Sequence, residues 1–105
     1  MMYTAQLDGK GPFVIRYPRG GGVHVDWKKP FKEMEIGKGR CLKIGHNIAL
    51  LSIGHIGNAA MQAAVIAENL GINVGVYDMR FVKPLDESLI QEVSKIYSHI
   101  ITIEN

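Results

Sequence analysis

Two arginines, Arg16 and Arg19, bracket Tyr17 and Pro18 in the stretch RYPRG, and Gly20, Gly21 and Gly22 follow directly. A guanidinium presents a planar fork of donors that suits a phosphate or a carboxylate. Pro18 fixes one φ of the turn and so aims Arg19, while Gly20 permits close backbone approach to whatever Arg19 holds. The chemistry available to this stretch is therefore anion capture at the end of a strand, since residues 12–17, with the apolar Phe13-Val14-Ile15 at their centre, read as a buried strand. The same residues also read as the end of one domain and the start of a linker, which makes Arg19 a surface cation. Arg16 is either a second contact to the anion or the ion-pair partner of a carboxylate.

The other residues able to do chemistry are dispersed. His24, His46, His55 and His99 include no pair at the i, i+4 spacing of a helical metal site. Cys41 is the only cysteine. An internal disulfide or a cysteine-rich metal site is thereby excluded, and a reducing, cytoplasmic setting is expected. Its place in a strand pattern predicts a small buried hydrophobe. Gly54 and Gly57 flank His55 where a strand should hand over to a helix, a position at which parallel sheets hold ligands and helix N-termini attract anions; a tight connecting turn is the plainer reading. Asp78 and Arg80 are expected to fix the RFVKPLD loop through an ion pair or hydrogen bonds, and Lys83 to be solvated. Trp27 and Phe31 read as anchors on a domain surface.

The elements that must position these residues are clearest in the second half of the chain. NIALLSIG (47–54) is a continuous apolar run, the pattern of a strand buried on both faces. NAAMQAAVIAENLG (58–71) is alanine-rich and helix-favouring, with Asn58 as expected cap and Gly71 as left-handed terminator. Ala59, Ala63, Ile66, Ala67 and Leu70 recur at helical spacing, which predicts one apolar stripe pressed onto a sheet. NVGVYDM (73–79) reads as the next strand, and Pro84 stops an early helix. DESLIQEVSKIYS (86–98) is an amphipathic helix with Leu89, Ile90, Val93, Ile96 and Tyr97 on its apolar side. Asp86 is its expected cap, and Leu85 with Ile90 forms a hydrophobic staple. HIITIE (99–104) closes the series as a strand. The reading is an α/β, three-layer βαβαβ fold with a mainly parallel sheet. GRCLKIG (39–45) adds an extra strand, expected to run antiparallel to 47–54 across the short Gly45-His46-Asn47 turn.

Composition narrows the function classes. The 105 residues are 47% hydrophobic and 21% charged, as in a globular domain. The net charge of +2 is uneven: residues 1–40 hold eight basic and four acidic side chains, residues 41–105 four and six. That asymmetry favours a local anion site over a nucleic-acid surface, since one arginine-glycine step without an aromatic series is no RNA-binding pattern. No apolar run is long enough to span a membrane, and the N-terminus does not read as a signal peptide. Residues 20–38 mix glycine, lysine and Pro30 and read as a strap. The first strand lacks a partner and the last leaves an open edge, so both ends are expected to be cut from a larger protein.

RYPRG, then IGKG after a linker, then VYDMRFVKPLDESLI and ITIEN, resemble the 1-deoxy-D-xylulose-5-phosphate synthases, a family of transketolase-like thiamine-diphosphate enzymes. The specific element is DMRFVKPLD together with upstream RYPRG. R-x-x-x-P-L-D alone would indicate only the C-terminal domain of some transketolase-like protein, including pyruvate-dehydrogenase-type subunits. The resemblance implies that residues 1–19 end a pyrimidine-binding domain, 20–38 are an interdomain strap, and 39–105 begin a transketolase C-terminal domain. It also implies a cytoplasmic homodimeric parent with thiamine diphosphate and Mg2+, making deoxyxylulose 5-phosphate for isoprenoid and thiamine biosynthesis from pyruvate and glyceraldehyde 3-phosphate. In it Arg19 holds the phosphate of glyceraldehyde 3-phosphate. The family's G-D-G magnesium motif is missing from this chain, and its catalytic glutamate and histidines belong to segments this chain lacks. The chain alone is thus expected to bind no cofactor and to be inactive, with no nucleic-acid or membrane partner. Two other readings stand beside this one: a stand-alone interaction or dimerisation module, and the C-terminal part of an oxo-acid dehydrogenase subunit.

Overall fold

A computed structural model of the chain describes residues 1–22 and 28–104. His24 and Trp27 lie outside the described residues. The chain forms two units, Met1–Glu35 and Ile36–Asn105, a division that falls within the 20–38 strap.

In the first unit, helix α1 (Met2–Ala5) is a single turn. Thr4 is fully buried, and its hydroxyl accepts the Met34 N–H at 2.9 Å. Tyr3 stacks on Phe31 with centroids 5.8 Å apart, and Lys10 pairs with Glu33. These contacts fold the beginning of the chain against residues 31–34. The strand expected over residues 12–17 is absent: residues 11–18 carry no regular secondary structure. A β-patterned segment without a neighbouring strand has no ladder to satisfy its backbone.

The second unit holds a four-stranded sheet built from β1 (Arg40–Lys43), β2 (Ile48–Ser52), β3 (Val74–Asp78) and β4 (His99–Ile103), in the order β1-β3-β2-β4. β2 pairs in parallel with both β3 and β4, Ile48 lying beside Val74 on one side and His99 on the other. Helix α2 (Ile56–Asn69) links β2 to β3, and α3 (Glu87–Ile96) links β3 to β4. Alternation along β2 separates two cores. Leu50 packs with Ala60, Ala64, Val74 and Val76 under α2, while Ala49 and Leu51 pack with Tyr77, Met79, Val93 and Tyr97 under α3. The three-layer βαβαβ architecture is the one expected.

Several local expectations are corrected. β1 is antiparallel, but its partner is β3, not β2. The reason lies at Gly45: a Cβ there would sit 2.1 Å from the Gly75 nitrogen and 2.3 Å from the Val74 carbonyl carbon. The chain thus crosses directly over the backbone of β3, leaving β1 and β2 on opposite sides of it. The stripe of α2 that faces the sheet is Gly57, Ala60 and Ala64, with Met61 and Ala67 half-buried; Ala59, Ala63, Ile66 and Leu70 are exposed. The helix starts at Ile56 with His55 in the capping position, so Asn58 lies inside its first turn. Gly57 explains the rotation: its missing Cβ would stand 3.0 Å from the Ser52 hydroxyl, so the helix approaches β2 through this residue. Ile96 is exposed rather than packed beneath α3, and Cys41 is exposed rather than buried. Gly71 adopts the expected left-handed conformation, φ 80°. Among the described residues no helix is long and apolar enough to cross a membrane.

Candidate functional site

In the first unit the chain leaves Lys10 through left-handed Gly9 and Gly11 (φ 75° and 68°) and runs through Phe13, half-buried, to RYPRG. Val14 is 94% exposed and Ile15 half-buried, so the alternation of a strand persists without the strand. Arg16, Tyr17, Pro18, Arg19 and Gly20 are all exposed, and Arg19 and Gly20 form a bend. Gly20 has φ 125°, with nothing within 4 Å of where its Cβ would lie. The role of glycine here is the backbone conformation and not close approach. Arg16 is already partnered. Arg19 is thus presented by a proline on one side and a glycine-only bend on the other, at the surface, where a guanidinium can meet a soluble anion.

In the second unit the carboxyl ends of β2 and β3 are side by side, and their connections leave to opposite faces of the sheet. That is the topological position at which such sheets hold ligands. Here its polar groups are spent on structure. The Ser52 hydroxyl, fully buried, donates to the Tyr77 carbonyl at 3.0 Å, and the Met79 N–H donates to the Ser52 carbonyl at 2.8 Å. Gly57 N–H donates to the Gly54 carbonyl at 3.2 Å, which closes the turn around His55. The Gly54-x-x-Gly57 spacing therefore serves that turn and the packing on Ser52.

Both aspartates of the DMRFVKPLD loop are likewise engaged. Asp78 accepts Arg40 Nε on one carboxylate oxygen at 3.1 Å and the Arg80 backbone N–H on the other, also at 3.1 Å. Arg80 takes a left-handed φ of 58°, held by that bond and by the Phe81 N–H to the Met79 carbonyl at 2.6 Å. Asp86 caps α3 by accepting the Leu89 N–H at 3.1 Å and accepts the Gly39 N–H at 3.0 Å, with Lys38 Nζ at 3.5 Å. Burial pushes the Asp86 carboxyl up, but the Gly39 and Leu89 donors and the Lys38 ammonium outweigh it, so its pKa falls below the ordinary 3.8. A carboxylate so stabilised is a tie and not a proton acceptor. Lys83 is exposed, and the Lys83–Pro84 peptide is cis.

A third polar group lies deeper. The Tyr97 hydroxyl accepts the Gly45 N–H at 2.9 Å and stands 3.1 Å from the Tyr77 hydroxyl. Burial, then the bond to Tyr97, raises the Tyr77 phenol above its usual pKa, so the Tyr77 hydroxyl stays protonated. At the carboxyl ends of β2 and β4 opens a cavity of about 290 Å³ lined by Leu51, Ile53, Met79, Leu85, Ile90 and Ile103 together with Thr102 and Glu104. Its lining is mostly aliphatic and brings no set of polar groups to one point.

Sequence reading found the Asp86 cap, because it is signalled within a few residues. It missed the Arg40–Asp78 pair, the Lys38 and Gly39 ties to Asp86 and the Gly45–Tyr97–Tyr77 network. Their partners are 20 to 52 residues apart along the chain. Among the described residues no three His, Cys, Asp or Glu side chains assemble into a metal-holding group.

Comparison with known proteins places the chain in a family. Residues 37–105 match the family model described as "Transketolase, C-terminal domain". Over 106 aligned residues, covering 100% of the chain, it is 58% identical to a 1-deoxy-D-xylulose-5-phosphate synthase of Bacteroides thetaiotaomicron and 56% identical to one of Bacteroides fragilis. The chain spans 16% of the length of each. Among solved structures it is similar to a "Split gene transketolase, inactive beta4 tetramer", with a TM-score of 0.68 and 31% identity over 70% of this chain and 24% of that one. The family model covers well over half of the sequence, from residue 37 onward: the chain belongs to the transketolase C-terminal-domain family.

Proposed function

We propose that this chain is a segment of a 1-deoxy-D-xylulose-5-phosphate synthase and that Arg19 grips the phosphate of glyceraldehyde 3-phosphate as pyruvate condenses with it and carbon dioxide leaves. The observation that carries the reading is the reach of the likeness. The transketolase model covers only residues 37–105, whereas similarity to the synthases covers the whole chain, RYPRG included. That extra stretch is also what disfavours the C-terminal part of an oxo-acid dehydrogenase subunit.

On this reading Arg19 orients the acceptor substrate. Its guanidinium holds the phosphate end, so the aldehyde carbon is delivered to the reacting centre in one pose. Thiamine diphosphate with Mg2+ supplies the carbanion chemistry in such a parent, and the proposal assigns its binding to other parts of that protein. The parent is a cytoplasmic homodimer serving isoprenoid and thiamine biosynthesis, and the present chain alone is inactive. The similar fold in a split-gene transketolase titled an inactive tetramer supports that last point. It also keeps in view the second reading, a separate chain that uses this fold to assemble.

The test is steady-state kinetics of the full-length protein containing this chain, with and without Arg19→Ala, varying glyceraldehyde 3-phosphate at saturating pyruvate. The expected result is deoxyxylulose 5-phosphate formation and a fall of about 30-fold in kcat/KM for the phosphate substrate, equivalent to roughly 2 kcal/mol. An active parent unaffected by the substitution removes Arg19 from the site. A parent that forms no deoxyxylulose 5-phosphate overturns the assignment itself.

A further inference from the structure

The chain that connects the two units is fastened on both of its sides. On the first side, Phe31 stacks on Tyr3, Glu33 pairs with Lys10, and the Met34 N–H donates to the buried Thr4 hydroxyl at 2.9 Å. The amino-terminal ammonium adds a contact to Met34 Sδ at 3.1 Å. The chain is thus still held by the first unit at Met34. On the second side, Gly37 is buried, and a Cβ on it would stand 2.8 Å from Pro84 Cγ. The Gly39 N–H donates to one Asp86 carboxylate oxygen at 3.0 Å, and Lys38 Nζ lies 3.5 Å from the other. A Cβ on Gly39 would stand 2.6 Å from Leu89 Cδ2. From Gly37 onward the chain is therefore seated on Pro84 and the start of α3.

Between these fastenings lie Glu35 and Ile36. Glu35 is exposed, and among the described residues no hydrogen bond or ion pair holds either of them. The division into compact units falls between the same two residues. We infer that Glu35 and Ile36 form a two-residue joint between the units, and that Thr4 and Asp86 are the clamps that keep it this short.

Length decides what such a connection does. Two residues span at most about 7 Å, whereas a strap over the whole of residues 20–38 would reach about 65 Å. A long flexible strap leaves the spacing of the bodies it joins unset. A joint of two residues offers four backbone dihedrals, so the chain changes course there while its two anchors stay at a nearly fixed separation. Asp86 carries more of this than its capping role requires. It already caps α3 through the Leu89 N–H, and its bonds to Gly39 and Lys38 add nothing to the helix. They bring residues 37–39 to the sheet unit. Without them the free length would run over residues 35–39, as far as β1 at Arg40, with a reach of about 17 Å. The inference concerns the connectivity of this chain and does not depend on the enzymatic reading.

Amide hydrogen exchange of the chain, followed residue by residue by NMR, tests it. Corrected for intrinsic rates, the Met34 and Gly39 amides should exchange at least about tenfold more slowly than those of Glu35 and Ile36. Thr4→Val should speed exchange at Met34 at least about tenfold and leave Gly39 unchanged. Asp86→Ala should do the reverse. Trypsin gives a second readout: the Lys38–Gly39 bond should be cut slowly in the parent and at least about tenfold faster in Asp86→Ala, with the circular dichroism unchanged. Three outcomes overturn the inference. The first is fast exchange throughout residues 31–39, which makes the connection an unclamped linker. The second is protection of Glu35 and Ile36 equal to that of Met34 and Gly39, which makes it a rigid continuation with no joint. Both are read from the parent chain and need no variant. The third is loss of protection at Met34 and Gly39 together in either variant, which means that the two clamps belong to one structure.

Discussion

The two units of this chain are built in opposite ways. Ile36–Asn105 is held by a parallel sheet with a core on each face and by polar ties whose partners are far apart in sequence. Among the described residues of Met1–Glu35 the contacts include a buried threonine, a stacked aromatic pair and an ion pair. Yet Arg19, the exposed cation proposed to meet a ligand, is in the slighter unit, while Asp78 and Asp86 of the larger one hold its own loops. Binding groups are commonly carried on segments that the scaffold leaves free. The lesson is that the conspicuous DMRFVKPLD motif marks the scaffold, and the proposed binding group lies in the short RYPRG.

The contrast is attacked most strongly at Gly45. An alanine there would place its Cβ against the backbone of β3, which is hydrogen-bonded on both sides and cannot yield as a side chain would. Gly45→Ala should cost roughly 3 kcal/mol or more, read as lost cooperativity or a greatly lowered midpoint in urea. A variant as stable as the parent would mean that the crossing over β3 is not as described. Next in size is Tyr97→Phe, which removes the acceptor of the Gly45 N–H and the neighbour of the Tyr77 hydroxyl, both buried. About 1–3 kcal/mol should be lost. Tyr77→Phe, which leaves the Gly45 bond in place, should cost less, and the reverse order would show that the two hydroxyls matter more to each other than to Gly45.

These positions also show what could be read beforehand. The strands and helices of residues 47–104 were legible because their apolar residues recur at periods of two and 3.6. Their ends were legible where a local signal exists, as at Asp86 and Gly71. The face of α2 was not. It carries two adjacent apolar lines, both rich in alanine, and the choice between them is made by Gly57 meeting Ser52, a contact that periodicity does not encode. The neighbour of β1 was not legible either, since a short link predicts a hairpin unless the missing side chain of Gly45 lets the chain step across a third strand. The residues 12–17 kept a strand's alternation and lost the strand, because pairing is a property of two segments. At the candidate site, Arg19 was singled out by its motif, with Pro18 and Gly20 on either side, whereas the partners that occupy Asp78 are 38 and two residues away.

A smaller effect with a defined sign comes from Asp86. Its pKa is lower in the folded chain than the ordinary 3.8, so it adds stability above that value, and the contribution is lost as pH falls through the folded pKa. Asp86→Asn should cost about 1–2 kcal/mol at neutral pH, because an amide nitrogen then faces one of the N–H donors. The gap between variant and parent in urea unfolding should narrow as pH falls below 3.8 and close once it is below the folded pKa. A gap that persists in acid would mean that the charge of Asp86 contributes nothing and only its shape matters.

The smallest expected effect on stability is the one that tests the comparison most directly. Arg19 is exposed on a bend whose conformation is set by Pro18 and Gly20, so Arg19→Ala removes neither packing nor a backbone constraint. Its unfolding midpoint should match the parent within about 0.5 kcal/mol. A surface cation that matters neither to the fold nor to any ligand would be silent in every assay. One that ties the first unit together would show a loss of stability. The proposed role requires a third pattern, silence in unfolding and a large loss in kcat/KM of the full-length protein. Gly20→Ala sharpens it further: at φ 125° an alanine is strained while open space surrounds it, so the bend should shift without a steric clash. If Arg19 depends on that bend for its aim, Gly20→Ala should lose part of the phosphate-substrate efficiency with Arg19 still present. If it does not, the cation acts through its charge alone and the turn is incidental.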